Sequence, residues 1–197
     1  SFVPVSYLCG NDTVKESMDD SDIRNFMEKI IYEEVIPTLT LPRQELEEFA
    51  EAVITRFNNP YVKHALLSIS LNSVSKWRAR CLPSLLGYVE QRASLPPGLT
   101  FSLAALMAFY QGRELRDKAL IGHREGQEYS ILDDGNVLEF FRTHCQEDAR
   151  TFASAFLGRT DFWGRDLNSV KELTEAVAGY LSDIRERGMR AALCRIS

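Results

Sequence analysis

Only three histidines and four cysteines occur in 197 residues, and their positions remove several chemistries at once. His64, His123 and His144 never stand four apart, so no helix can present a paired-histidine metal site. Cys9, Cys81, Cys145 and Cys194 form no C-x-x-C unit. That argues against a zinc site and a disulfide framework, and makes a reducing cytoplasm the expected compartment. No G-x-G-x-x-G or G-x-x-x-x-G-K-[ST] is present, and Gly112, Gly122 and Gly126 lack the spacing of a phosphate cradle. A G-x-S-x-G elbow is also missing. No apolar run is long enough for a membrane span, and no signal peptide is visible. The net charge is -5 and the basic points Arg78, Arg80 and Arg92 form no block, so neither nucleic acid nor membrane is an expected partner. The adjacent carboxylates Glu33-Glu34, Glu47-Glu48 and Asp133-Asp134 diverge around a helix and read as solvated faces or caps.

What is present is a helix-rich chain with material for a sizeable core, at 45% hydrophobic and 26% charged residues. It opens on Ser1 and runs straight into "SFVPVSYLCG", which suggests a fragment whose beginning lies upstream. Ser21 or Asp22 can cap a helix in which Ile23, Phe26, Met27, Ile30 and Ile31 repeat at helical spacing until Pro37. Pro42 can open the next, with Leu46, Phe49, Ala50, Val53 and Phe57 on its apolar face and Asn58-Asn59-Pro60 as a stop. Residues 61 to 92 read as one or two helices, with Pro83 a kink or a fresh start. After the break "LPPG", "FSLAALMAFYQGREL" is apolar around most of its circumference and belongs in the middle of a bundle. Residues 116 to 134 read as a surface loop or flap in which "EYSIL" is an irregular strand. Helices are expected at about 135 to 146 and 148 to 157. A long final one begins near Ser169, with Val170, Leu173, Val177, Leu181 and Ile184 along one face. The expected class is all-α, with residues 1–197 forming a single helical substrate-binding domain.

One stretch departs from the apolar pattern. Read as a helix, "SISLNSVSKWRAR" sets Ser68, Asn72, Lys76 and Arg80 four apart as a polar ridge among Leu66, Leu67, Ile69, Leu71, Val74 and Trp77. Structural accounts exist for each member. Lys76 can snorkel, Asn72 and Ser75 can bond back to the preceding turn, and Arg78 and Arg80 can face solvent. Together, however, they offer amide and hydroxyl donors for sugar hydroxyls and guanidinium groups for a carboxylate.

The string "RFNNPYVKHALLSISLNSVSKWRARCLPSLLGYVE", with "VPVSYLCGNDTVKESMDD", "EEVIPTL" and "EYSILDDGNVLEFF", resembles the C-terminal region of the polyol-type long-chain dehydrogenases, the mannitol dehydrogenase family. Within it the chain is most similar to the branch that interconverts tagaturonate and altronate. The resemblance implies a multi-helix domain of the 6-phosphogluconate-dehydrogenase-like type, part of a larger enzyme whose N-terminal Rossmann domain binds NAD. It implies hydride transfer between NADH and a keto-sugar acid. The family's catalytic Lys-x-x-x-x-Asn-x-x-His helix would lie upstream of Ser1, so no catalytic residue is expected here. Lys76 matches the family's substrate-contacting lysine. Mannitol-type members precede it with Arg-x-x-x-Asp-Gly, where this chain has Ser68 and Asn72-Ser73. A polyol-binding arginine therefore cannot be carried over to position 68. The candidate substrate-binding residues are Lys76, Asn72, Ser75, Arg78, Arg80 and His64, with Arg78 or Arg80 placed to hold a carboxylate. Related mannitol/fructose or mannonate/fructuronate chemistry, or a non-catalytic helical interaction module, remains open from the residues alone.

Overall fold

The computed structural model describes residues 2–59, 61 and 64–196. The first helices are α1 (Val3–Leu8), α2 (Val14–Asp19) and α3 (Ser21–Lys29), followed by a widened π turn over Ile30–Val35 and a tight 3-10 turn over Ile36–Thr38. Next come α4 (Arg43–Phe57), α5 (Leu66–Ile69), α6 (Ser73–Arg80), α7 (Leu82–Arg92) and α8 (Pro97–Phe109). The strands β1 (Gly112–Arg116), β2 (Ala119–Arg124) and β3 (Gln127–Ile131) interrupt the helices. Then follow α9 (Gly135–His144), α10 (Ala149–Leu157), α11 (Thr160–Trp163), a 3-10 turn over Leu167–Ser169, α12 (Leu173–Arg187) and α13 (Met189–Leu193).

Helix α8 is the centre of the packing. Every residue from Gly98 to Phe109 is buried, as the absence of a polar stripe requires. Helices α1, α6 and α12 pack along it, and Trp77 on α6 donates its indole N–H to the Ser102 hydroxyl at 2.9 Å. An aromatic cluster joins the later helices to this core. Phe141 and Phe156 lie 5.1 Å apart between ring centroids, and Trp77 meets Trp163 edge-on at 5.7 Å.

Complete burial makes the ends of α8 a chemical problem, because the first N–H groups of a helix have no intrahelical partner. Pro97 has no N–H to satisfy, and Thr100 N–H reaches the Pro96 carbonyl at 3.0 Å. The two between them, Gly98 and Leu99, each donate to one oxygen of the Glu34 carboxylate at 2.7 Å. Glu34 is 2% exposed, whereas Glu33 is on the surface. The adjacent pair therefore does diverge, but its second member turns into the core rather than onto a solvated face. Gly98 permits the approach: a Cβ there would stand 2.6 Å from Ile30 and 3.0 Å from a Glu34 oxygen.

Several boundaries differ from the sequence pattern. Asp20, not Ser21 or Asp22, caps α3, its carboxylate accepting from the N–H groups of Asp22 and Ile23. Pro42 stands just before α4, and Phe49 on that helix is 70% exposed instead of buried, since only Leu46 and Ala50 reach the small cluster beneath it. Pro60 of the expected stop lies outside the described residues. Among the described residues of 61 to 92 there are three helices, and Pro83 is the second residue of the third. The long helix expected from near Ser169 starts at Leu173 as α12, because Glu172 takes a left-handed conformation (φ 64°), and Gly188 (φ 85°) separates it from α13.

The segment expected as a loop with one irregular strand is a three-stranded antiparallel meander in the order β1-β2-β3. Both hairpins turn on two residues with positive φ: Asp117 and Lys118 (51° and 65°), then Glu125 and Gly126 (52° and 80°). Paired positive φ is what a two-residue hairpin needs to match strand twist. The meander is fastened to α1 by Arg124, whose guanidinium lies 4.0 Å from the Tyr7 ring and donates to the carbonyls of Tyr7 and Asn11 and to the Asp12 carboxylate.

Glu34→Ala should lower the unfolding free energy by about 3 kcal/mol, since two buried N–H groups lose a charged acceptor, and Glu34→Gln by less. Burial, the largest influence, pushes the Glu34 carboxyl above its ordinary range despite the two backbone hydrogen bonds. A raised pKa means that this group favours the fold at acid pH and loses that contribution as pH rises through its folded value. Denaturant titrations from the ordinary glutamate range upward should therefore show wild type losing stability relative to Glu34→Gln. Parallel curves would reject this assignment.

Candidate functional site

The polar ridge is not a continuous helix. Helix α5 ends at Ile69 and α6 begins at Ser73, with Asn72 between them in the left-handed region (φ 54°, ψ 45°). Asparagine tolerates that region better than most residues. The turn is tied down by short-range bonds: Ser70 Oγ to Leu67 O at 2.7 Å, and Ser73 Oγ to Ser70 O at 2.6 Å. Asn72 N–H donates across to Leu132 O at 3.1 Å, just beyond β3. Its carbonyl accepts from Ser75 Oγ and Lys76 N–H, both at 3.1 Å, while its amide makes no cap for α6. Ser68 is exposed on the far side of the turn, and Leu71 is 44% exposed rather than packed.

Lys76 reaches back across the turn and donates to Ile69 O at 3.1 Å. An ammonium there meets the carbonyl end of α5, where the helix carries partial negative charge. One of its three donors is used, and the side chain is half-buried. Arg80 is exposed on the next turn; at about 100° per residue it lies roughly 40° from Lys76 on the same flank of α6. Arg78 lies about 160° from Lys76 by the same count. It faces α11 instead, donating to Phe162 O at 3.4 Å and lying over Gly164, where a Cβ would come within 2.6 Å of its guanidinium. Ser75 is exposed with its hydroxyl turned back to Asn72 O. His64 is exposed and precedes α5 in extended chain, its carbonyl accepting from Val14 N–H at 3.0 Å. The structure thus puts Lys76 and Arg80 on one flank of α6 with Asn72 at its start, gives Arg78 to another flank, and leaves His64 off any helix they share.

Tyr110 escaped the reading of the sequence, and Asp133, expected on a solvated face or cap, turns inward instead. Tyr110, fully buried at the end of α8, accepts a hydrogen bond from Ser73 N–H at 3.2 Å and donates its phenol to Asp133. Asp133 is half-buried and also accepts from Asp134 N–H at 2.8 Å and from the Val74 N–H at the start of α6. Burial raises its carboxyl above the ordinary aspartate range, against these three hydrogen bonds. The available signal was a tyrosine closing an otherwise apolar helix, paired with one member of an acidic doublet.

A dinucleotide crevice needs parallel strands leading through a tight glycine turn into a helix N-terminus. The sheet here is an antiparallel meander, and among the described residues no strand stands beside a parallel neighbour. These residues do not fit a nicotinamide dinucleotide, and no step through one follows from them.

The model of the mannitol dehydrogenase C-terminal domain matches residues 1–185. An altronate oxidoreductase of Yersinia pestis is 44% identical over 203 residues, taking in 100% of this chain and 40% of the relative. One from Klebsiella pneumoniae (strain 342) is 45% identical over 199 residues, with 98% of this chain and 39% of the relative covered. The chain therefore spans about two fifths of the length of these curated relatives. The structure of Pseudomonas fluorescens mannitol 2-dehydrogenase, solved in ternary complex with NAD and D-mannitol, superposes with a TM-score of 0.84 at 19% identity. It covers 99% of this chain and 37% of that one.

The contact between Arg78 and Gly164 yields a stability prediction that separates this arginine from its neighbours. Gly164 holds φ at 76° with the guanidinium above it, so Gly164→Ala should cost about 1–3 kcal/mol through backbone strain and displacement of Arg78. An unchanged melting temperature would mean that the guanidinium swings away without cost.

Proposed function

Since the chain belongs to the mannitol dehydrogenase C-terminal domain family, we propose that it is the substrate domain of an NAD-dependent oxidoreductase interconverting tagaturonate and altronate. The observation that carries this is its 44% identity, over its whole length, to altronate oxidoreductases. Residues 1–197 would form one helical domain of a longer cytoplasmic enzyme, whose Rossmann domain binds the dinucleotide and whose catalytic groups lie outside this chain. When bound there, NAD supplies and accepts the hydride.

The role of this chain's residues is then to hold and orient the keto-sugar acid. Lys76, kept in place by Ile69 O, has N–H donors to spare for sugar oxygens. Arg80, on the same flank, supplies the planar fork that a carboxylate takes bidentately. The Asn72 amide adds a donor and an acceptor at the turn, and Ser75 and His64 border the pocket. Arg78 is the weaker of the two candidates for the carboxylate, because its guanidinium is engaged with Phe162 and Gly164. Ser68 leaves out the arginine of mannitol-type members, which favours an acid over a polyol. Mannitol/fructose and mannonate/fructuronate exchange are the alternatives within the family.

In the full-length enzyme, Arg80→Ala and Lys76→Ala should each raise the KM for tagaturonate at least about tenfold, the loss expected for a charged hydrogen bond. The KM for NADH should stay constant, and Arg78→Ala should leave the keto-acid KM within about twofold. An unchanged KM in Arg80→Ala removes that residue from the pocket. Higher kcat/KM for fructose or fructuronate in a substrate panel would replace the substrate assignment. Calorimetric titration of the isolated chain with NADH should give no heat of binding; micromolar affinity would overturn the division of labour.

A further inference from the structure

Three backbone N–H groups at the α5–α6 turn are bound, directly or through Tyr110, to the segment that leaves the β-meander. Asn72 N–H binds Leu132 O at 3.1 Å, Ser73 N–H binds the Tyr110 hydroxyl at 3.2 Å, and both the Tyr110 hydroxyl and Val74 N–H bind Asp133. These are the residues immediately ahead of Lys76. Helix α6 carries no side-chain cap of its own at this end, so its first N–H groups are satisfied by a residue from the end of α8 and one from beyond β3. A turn held at positive φ persists only when its surroundings over-determine it, and Tyr110 and Asp133 are the surroundings.

We propose that Tyr110 and Asp133 are positioning residues for substrate binding: by clamping the left-handed turn at Asn72 to the exit of the meander, they fix the angle at which α6 presents Lys76 and Arg80. The proposal rests on the reading of that flank as the keto-acid pocket. Neither residue touches substrate. Their action is on the geometry of the two cations, where small displacements weaken bidentate and point-charge contacts steeply. The clamp is strongest with an ionised carboxylate, whose lone pairs are all open to the three donors, whereas protonation gives one of them over to an O–H. Tyr110 from α8 and the neighbouring Asp134 are the titratable groups acting on it, while α6 faces it with backbone N–H groups. Burial is the main reason its carboxyl titrates above the ordinary aspartate range.

The test is steady-state kinetics of the full-length enzyme with NADH and tagaturonate, comparing wild type, Tyr110→Phe and Asp133→Asn. Each variant should raise the keto-acid KM about tenfold with the NADH KM unchanged. Wild-type kcat/KM should fall on an acid limb whose midpoint lies above the ordinary aspartate range, and Asp133→Asn should lose that limb. A merely structural clamp would lower the melting temperature and the active fraction, scaling kcat and leaving both KM values and the pH profile alone. That result overturns the proposal. If Asp133→Asn does not fold, Tyr110→Phe decides by the same split. A wild type that turns over no keto-sugar acid overturns the functional reading and this inference together. Turnover with unchanged KM in the folded variants overturns the inference alone.

Discussion

The carboxylate of Glu34 against the first N–H groups of α8 is the contact from which the rest of the arrangement follows. A helix apolar on every side can be wrapped completely, but its ends cannot be left without partners in a medium that supplies no water. At the start of α8 a proline removes one donor and Glu34 takes two. At its far end the Phe109 carbonyl accepts the Tyr129 hydroxyl at 2.6 Å from β3, and Tyr110 turns its phenol to Ser73 and Asp133. The meander is therefore more than a surface excursion: it returns to close the carbonyl end of the central helix. In doing so it brings residues 132 and 133 to the turn that starts α6.

Burial raises the carboxyls of both Glu34 and Asp133, so each favours the fold less when ionised than when protonated. Their desolvation cost is offset by hydrogen bonds to buried N–H groups that an apolar side chain would leave unsatisfied. What they supply is direction. Glu34 fixes where α8 begins, and Asp133 fixes where α6 begins. A pair of apolar side chains in the same places would tolerate sliding that two oxygens bonded to named N–H groups do not.

The helices that bury most of their length were legible from apolar spacing, because burial and period are the same fact seen twice. Helix α8 is the clearest case, and α12 follows apart from its first turn. The meander was not legible, since its hairpins turn on Asp117-Lys118 and Glu125-Gly126, of which only the last residue is a strong turn signal. Phe49 illustrates a different limit. Its spacing is helical, yet the surface beneath α4 is too small to reach it, and no periodicity reports the extent of the neighbour. In the candidate site, residue types were read correctly as an unusual concentration of polar groups, but their geometry was not. The break at Asn72 depends on Leu132, some sixty residues on, and long-range hydrogen bonds leave no periodic trace.

That break changes what the polar stretch can do. On one straight helix, Ser68, Asn72, Lys76 and Arg80 would form a shallow spiral facing solvent, with Arg78 apart from them. With the turn inserted, Lys76 folds back over the end of α5 and the two flanks of α6 separate, one toward α5 and one toward α11. The fold survives at 19% identity to a mannitol 2-dehydrogenase, so the framework constrains little of the pocket's chemistry, and specificity has to be argued from the side chains on that flank. There, Ser68 is uncharged, and a second cation, Arg80, stands one turn beyond Lys76. Moving positive charge from the α5 side of the turn to the α6 side moves the preferred position of a negative group with it. On the function proposed above, a keto acid held by Lys76 would lie along α6 with its carboxylate toward Arg80 and its carbonyl end at the α5–α6 turn.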